Sequence, residues 1–446
     1  LKALFLNLGN LDDAVKSVSK NFGWLMASRG VGAIFSLAYL AIITRNLGVE
    51  DFGSFALITG AAQFLSILLT FETWQVIVQY GVHHLERSDN ERLVRLYRWT
   101  VLLEILSAIA GAVLAAIILH FFADALGLKP TLARATLIFI VIMLISLRSV
   151  PIGIMRLRNR YELAAAAESA TPTMRLIGTI AVWFVHPTLQ GFLIAWALAE
   201  VLTAVAHWIA VGKTGDLRLM FHKGPKLRGV LHENPGIVRF AFNSSLTRSL
   251  GMSTKFIPLF LVGALGGTAA AGAFRLAAQL SRSLTILSQQ IVRAAFPEIV
   301  RTMRNLGVGG LIAMVTQTLR VSSLIGLLVF VIVVLFGKFV LEFVGGAEFG
   351  AGYYSLLWLS AAACVELVIV VFEPSIMAAG RANLAFYARL VGTAAMIGGA
   401  LVLEPLMGAE GVAAAVLGYS AMQAVLLSLI LLRMSRKHDN PGQESP

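Results

Sequence analysis

The chain has 446 residues, 58% of them hydrophobic and only 13% charged, and its 36 Lys+Arg against 24 Asp+Glu leave a formal charge of +12. Water-soluble domains carry about 25% charged residues, and the mean hydropathy here is +0.80. A soluble multidomain enzyme is excluded, and nucleic-acid binding no longer explains the basic balance.

What remains is a polytopic membrane protein whose cations need placing. The segment 1–21 holds Lys2, Asp12, Asp13, Lys16 and Lys20 without a cleavable-signal pattern, so the first apolar helix is expected to drive insertion. A bilayer-crossing helix needs roughly 20 apolar residues. In chain order the apolar runs are Phe22–Thr44, Phe52–Thr70, Tyr97–Phe122, Leu132–Met155, Leu163–Val185 and Leu189–Gly212. After a long polar connection come Phe240–Leu265, Ala269–Phe296, Ile312–Phe336, Tyr353–Ala378, Leu384–Leu403 and Gly411–Leu432. The third, fifth, eighth and tenth are interrupted by charge. The fold class expected is therefore an all-α polytopic membrane protein of about 12 transmembrane helices. The single cysteine, Cys364, lies in an apolar run and leaves no intramolecular disulfide to form.

The connection 213–239, with its Gly-Pro and Asn-Pro pairs, divides an N-lobe (22–212) from a C-lobe (240–432), and 433–446 forms a tail. An internal echo supports duplication. Leu47-Gly48 followed by Gly53 and Phe55 joins the first two spans, and Leu265-Gly266 followed by Gly272 and Phe274 joins the seventh and eighth, with one residue of gap. Six-plus-six duplication leaves a cleft between two similar bundles.

Orientation follows from the loops. With the N-terminus inside, the inner segments gather most of the Lys and Arg, while the outer ones hold Arg45, Lys129, Arg134 and Lys338. The positive-inside rule then puts both termini in the cytoplasm. Within the spans lie Arg29, Arg148, Arg175, Arg248, Lys255, Arg275, Arg282, Arg320 and Arg389, against the acids Glu104, Glu168, Glu200, Glu366 and Glu373. Each central cation costs on the order of 2.5–3.5 kcal/mol to insert, so they need a function, a partner or a route to the headgroups. Lys255, Arg275, Arg29 and Arg148 have the last option by snorkelling.

Arg248 and Lys255 are two turns apart on one helix face, as are Arg275 and Arg282 with Gln279 between them. These four cations are expected to form a ladder facing a water-filled space. Glu168 and Arg175 share a face but stand about 10 Å apart along the axis. The surplus of cations over acids favours an anionic substrate such as a phosphate or pyrophosphate. Pro151, Pro172, Pro258, Pro297 and Pro374 mark positions where a span can bend. No nucleotide-binding G-x-x-x-x-G-K-[ST] occurs, and neither an H-E-x-x-H nor a Cys/His cluster is present, so no cofactor or metal is expected. With short outer loops, catalysis is the weaker expectation.

Thr44-Arg45-Asn-Leu47-Gly48-Val-Glu50-Asp51-Phe52-Gly53 resembles the first-loop signature of bacterial polysaccharide flippases. Leu265-Gly266…Gly272-Ala-Phe274, Phe296-Pro297-Glu298 and Gly346-Ala-Glu348-Phe349 with Gly352-Tyr353 are similar to further family patterns. The resemblance implies the multidrug/oligosaccharidyl-lipid/polysaccharide exporter fold, two six-helix lobes around a central cationic cavity. It implies a flippase carrying an undecaprenyl-pyrophosphate-linked oligosaccharide repeat unit across the bacterial inner membrane, for O-antigen or exopolysaccharide assembly, by alternating access. Polysaccharide assembly proteins are then expected partners, besides membrane lipids, and nucleic acid is not. Ser28-Arg29-Gly resembles the span-one start of lipid II flippases, which adds Arg29 to the cavity. The pyrophosphate is expected on Arg29, Arg248, Lys255, Arg275, Arg282, Gln279 and Arg175, with Glu104, Glu168, Glu200 and Glu366 as candidates for coupling to H⁺ or Na⁺. The alternatives are an ion-coupled small-molecule antiporter of the same fold and a membrane glycan-processing enzyme. The absence of a carboxylate from Phe22–Thr44 speaks against the drug-antiporter branch.

Overall fold

Hydrocarbon offers no partner to a free backbone N–H or C=O, so a chain this apolar folds as helices. A computed structural model describes residues 2–123, 130–221, 227, 229–378 and 381–439; side chains are described for 32–123, 132–221, 227, 229–282 and 315–434, apart from 247, 250, 253, 317, 318, 321, 378–380 and 382. Among the described residues there is no strand. The helices are α1 (Lys2–Leu69), α2 (Thr73–Glu86), α3 (Asn90–Phe122), α4 (Pro130–Ile145), α5 (Ser149–Leu157), α6 (Tyr161–Val185) and α7 (Leu189–Gly212). There follow α8 (Asp216–Phe221), α9 (Val230–Glu233), α10 (Ile237–Gly345), α11 (Tyr353–Val368), α12 (Phe372–Ala378), α13 (Ala382–Met407) and α14 (Ala409–Asp439).

Nine stretches of the described residues are long and apolar enough to cross a membrane. Helix α6 is outside that set because Glu162, Glu168 and Arg175 dilute its apolar content, although its 25 residues reach about 37 Å at 1.5 Å per residue. The chain is an all-α, multi-pass membrane protein.

Three spans differ from their expected form. The second does not end at Thr70; it is interrupted at 70–72 and resumes as α2. The fourth is interrupted at 146–148, between α4 and α5, and the tenth at 369–371, between α11 and α12. Pro151 and Pro374 each occupy the third residue of the shorter piece, where a missing N–H has no intrahelical acceptor to lose. Pro172 instead sits inside a continuous α6.

The described helices form two compact units. One takes the chain up to Leu47, then Ile58–Ala123 and the run that ends at Ser253; the other takes Gly48–Leu57 and the chain from Thr254 onward. The first has a core of Ile77 (α2), Leu93 and Tyr97 (α3), Val150, Ile154 and Met155 (α5) and Val211 (α7), all buried. The second is centred on Val371, with Phe372 and Ile376 (α12), Ala385 and Ala388 (α13), and Leu427 and Leu431 (α14). In both, the short piece of a broken span supplies the core. Ile105, Leu106, Ile109, Val113, Leu114 and Ile117 of α3 stay exposed, as a lipid-facing stripe requires.

The glycine echo of the sequence has a structural counterpart. Gly48 bends α1 with φ 69° and ψ 179°, a conformation other residues rarely adopt, and the matching positive φ in α10 is at Gly267 (82°), not Gly266. Aligning Gly48 with Gly267 brings Gly53 against Gly272 and Phe55 against Phe274 with no gap, which corrects the register read from the sequence. The two segments also touch within the second unit. A Cβ on Gly53 would lie 1.7 Å from the Thr268 carbonyl oxygen, and one on Gly272 2.2 Å from that of Val49. Phe52 packs edge-on against Phe349 at 5.6 Å, and the Val49 N–H donates to Glu348 Oε2 at 3.3 Å.

The connection after α7 is fastened to the first unit. Arg158 donates from Nε to both Asp216 carboxylate oxygens (3.1 and 3.0 Å), and this hydrogen bonding holds its guanidinium above the ordinary arginine range. Arg95 pairs with Glu233 at 2.8 Å, His84 Nε2 meets Asn234 Oδ1 at 2.8 Å, and Arg98 donates to the Met220 carbonyl.

Candidate functional site

The two interruptions of the first unit lie side by side, and several of the loosened backbone groups there find a side chain. The carboxylate of Glu104 (α3) accepts from the N–H of Ser149 at 3.1 Å and of Val150 at 3.2 Å, which caps α5, and from the Thr73 hydroxyl at 3.4 Å. Ser149 Oγ accepts from the Trp74 N–H (3.0 Å) at the start of α2. Trp208 Nε1 donates to the Leu147 carbonyl (2.9 Å), and the Glu72 N–H donates to Ser245 Oγ (2.9 Å). Helix N-termini carry partial positive charge, so the Glu104 carboxylate at the start of α5 is electrostatically placed.

Around these breaks is a cavity of about 330 Å³. Its wall includes Glu72, Glu104 and Glu200 and the guanidiniums of Arg148, Arg156, Arg175 and Arg248, with Gln63, Ser66, Thr70, Ser146 and Ser149 between them. Glu200, 1% exposed, is shared by two arginines: Arg175 at 2.6 Å and Arg148 at 3.0 Å. Arg175 lies over the Trp196 ring, 3.9 Å from its centroid, and Tyr39 meets that ring edge-on at 5.5 Å. Glu72 pairs with Arg248 and accepts from Trp74 Nε1. Arg156 covers the Trp74 ring at 4.1 Å and makes a long pair with Glu168, 3.7 Å. Ser66 Oγ and Arg175 Nε are buried on this wall without a hydrogen-bond partner in the protein.

The structure thus brings Arg175, Arg248, Glu104 and Glu200 of the expected set to one cavity. Glu168 faces Arg156 rather than Arg175, consistent with the axial distance read from the sequence. Lys255, Arg275, Gln279 and Arg282 belong to the second unit, so the four-cation ladder divides between the two units. There Arg282 donates to the Lys255 carbonyl at 3.1 Å, Gln279 and Arg275 are half-buried, and Glu366 accepts from Ser420 Oγ at 3.4 Å. Arg389 donates from Nη2 to both carboxylate oxygens of Glu373, at 2.9 and 2.7 Å. The side chains of Arg29 and of Phe296-Pro297-Glu298 lie outside the described set.

Sequence reasoning missed Glu72 and left Arg148 and Arg156 out of the site. Glu72 stands just past an apolar run and reads as loop. Its signal was Phe71-Glu72-Thr73-Trp74, a carboxylate enclosed by bulky apolar residues. No group of three or more His, Cys, Asp or Glu able to hold a metal occurs among the described residues.

The comparisons agree with this architecture. The E. coli K12 inner membrane protein YghQ is 24% identical over 347 residues, covering 77% of this chain and 96% of that protein. An inward-facing multidrug resistance MATE family transporter of the MOP superfamily superposes with a TM-score of 0.75 at 16% identity, over 93% of this chain and 96% of the other. The lipid II flippase MurJ in an inward closed conformation gives 0.69 at 12% identity, over 93% and 90%. At such identities the likeness is one of fold, and it is the fold of membrane transporters. The family described as polysaccharide biosynthesis protein matches residues 18–303, well over half of the chain, and the protein belongs to that family.

Proposed function

We propose that the protein is a flippase of the bacterial inner membrane for an undecaprenyl-pyrophosphate-linked oligosaccharide. The observation that carries this reading is a membrane-embedded cavity with more arginines than glutamates in a chain of the polysaccharide biosynthesis family. Guanidiniums bind phosphate with paired, charge-assisted hydrogen bonds, whereas a glycan needs only a wet, polar passage and the polyprenyl tail stays in lipid. The names of the relatives support the reading: one is an inner membrane protein and one a lipid II flippase. Arg29, Arg175, Arg248, Lys255, Arg275, Gln279 and Arg282 are the proposed pyrophosphate contacts over the transport cycle, and both termini are cytoplasmic. Glu366, half-buried and accepting from Ser420 Oγ in the second unit, is the leading place for a coupling H⁺ or Na⁺; Glu104, Glu168 and Glu200 already serve amides or arginines.

A deletion strain should accumulate lipid-linked oligosaccharide on the inner leaflet, and the wild-type gene should clear it. Arg282→Ala should fail to clear it while still inserting; full activity in that variant removes Arg282 from the path. The likeness to a multidrug transporter favours one second reading, an ion-coupled antiporter, which predicts drug sensitivity in the deletion strain and no accumulated intermediate.

A further inference from the structure

We propose that the cavity of the first unit is an oxyanion site, in which a phosphate or diphosphate group binds Arg148, Arg156 and Arg248 and displaces Glu200 from Arg148. The inference rests on the flippase reading for its substrate and names the residues of one unit that would hold it.

Charge pairing in the cavity is incomplete in one direction. Glu104 spends its oxygens on backbone N–H groups and a hydroxyl, not on a cation. Glu72 answers Arg248. That leaves Glu200 as one carboxylate for both Arg148 and Arg175, and Arg156 with a partner at 3.7 Å that is itself 30% exposed. Guanidiniums short of counter-charge are expensive inside a membrane, and an arriving anion relieves that cost.

The wall also has a floor and a rim. Arg175 and Glu200 are the floor, with side chains 13% and 1% exposed, fixed by the Trp196 ring beneath. Arg148, Arg156 and Arg248 are the rim, at 35%, 31% and 37%. A ligand entering the cavity meets the rim first. Arg148 is the residue immediately before α5, so its guanidinium starts from the interruption itself.

Glu200 then acts as a positioning residue with a second task. A transporter must release what it binds, which favours sites that are neither deep nor single. Arg148 has an internal carboxylate waiting, so it can exchange the phosphate for Glu200 instead of remaining a bare charge.

The test uses the purified full chain in nanodiscs of neutral phosphatidylcholine, with binding read by tryptophan fluorescence (Trp74 lies on the wall) and by native mass spectrometry. Inorganic pyrophosphate, undecaprenyl diphosphate and added phosphatidylglycerol distinguish free anion, lipid-linked diphosphate and phospholipid headgroup as sources of the same chemistry. Arg148→Gln and Arg156→Gln should each weaken binding of the favoured anion about tenfold or more, as expected for losing a charge-assisted contact. Glu200→Gln should bind it several-fold more tightly yet transport more slowly; a purely structural Glu200 would lose both. Monodisperse Arg148→Gln and Arg156→Gln proteins that bind all three anions like wild type overturn the site, as does weaker binding in a monodisperse Glu200→Gln. Arg148-dependent pyrophosphate binding without inner-leaflet accumulation in the deletion strain keeps the site and fails the flippase reading. Accumulation with anion binding unaffected by either arginine substitution does the reverse.

Discussion

Asp216 has no exposed surface, and its carboxylate is held by Arg158 and by the Thr214 hydroxyl at 2.8 Å. Removing one member of such a pair leaves the other desolvated and unmatched, at about 3 kcal/mol or more. Asp216→Ala should therefore lower the unfolding temperature in detergent markedly, whereas Glu162→Ala, beside the exposed Arg160, should leave it nearly unchanged. At this scale the sequence reveals which charges are in the membrane but not which meet. Glu200 and Arg175 are 25 positions apart and Arg158 and Asp216 58 apart, distances over which helix periodicity carries no information. The surplus of cations was readable; its concentration around Glu200 was not.

Among the elements, the broken spans are the instructive case. Proline at 151 and 374 hinted at interruptions, yet Pro172 lies in an unbroken helix. The difference is in what surrounds the freed backbone. At span four, Glu104 and Trp208 come from other helices to satisfy the loosened N–H and C=O groups. A lone proline removes one hydrogen bond and bends a helix; ending it requires partners that only the folded bundle supplies. Glu104→Ala should leave the amides of Ser149 and Val150 unmatched, at about 1–3 kcal/mol for the buried Val150 and less for the half-buried Ser149. Hydrogen exchange over 146–157 should then rise while the α13–α14 pair stays protected. Unchanged exchange there would show that Glu104 is not what holds the break open. The glycine echo behaves similarly: the repeat was legible, but its register needed the backbone angle at Gly267. Because Gly272 meets the Val49 carbonyl so closely, Gly272→Ala should loosen the segment 48–57 and expose it to protease, with little change at α5.

At the level of the whole molecule, composition pointed to a membrane protein and the long apolar runs to helices, and the loop cations argue for both termini in the cytoplasm. On a Cys364→Ser background, Lys16→Cys and Arg436→Cys should be labelled only by reagents that reach the cytoplasm, and Lys338→Cys only from outside. The reverse pattern would invert every span. The boundary between units was less legible. The polar connection 213–239 looks like a hinge between independent halves, but ten residues, Gly48–Leu57, belong to the second unit while the chain on either side belongs to the first. A stitch of this kind passes through the other piece of cloth and returns. Severing the peptide chain in the polar connection should therefore yield two fragments that copurify without denaturant. The gene should tolerate being cut in two at that point, with both parts expressed together, far better than a cut placed between Leu47 and Ile58.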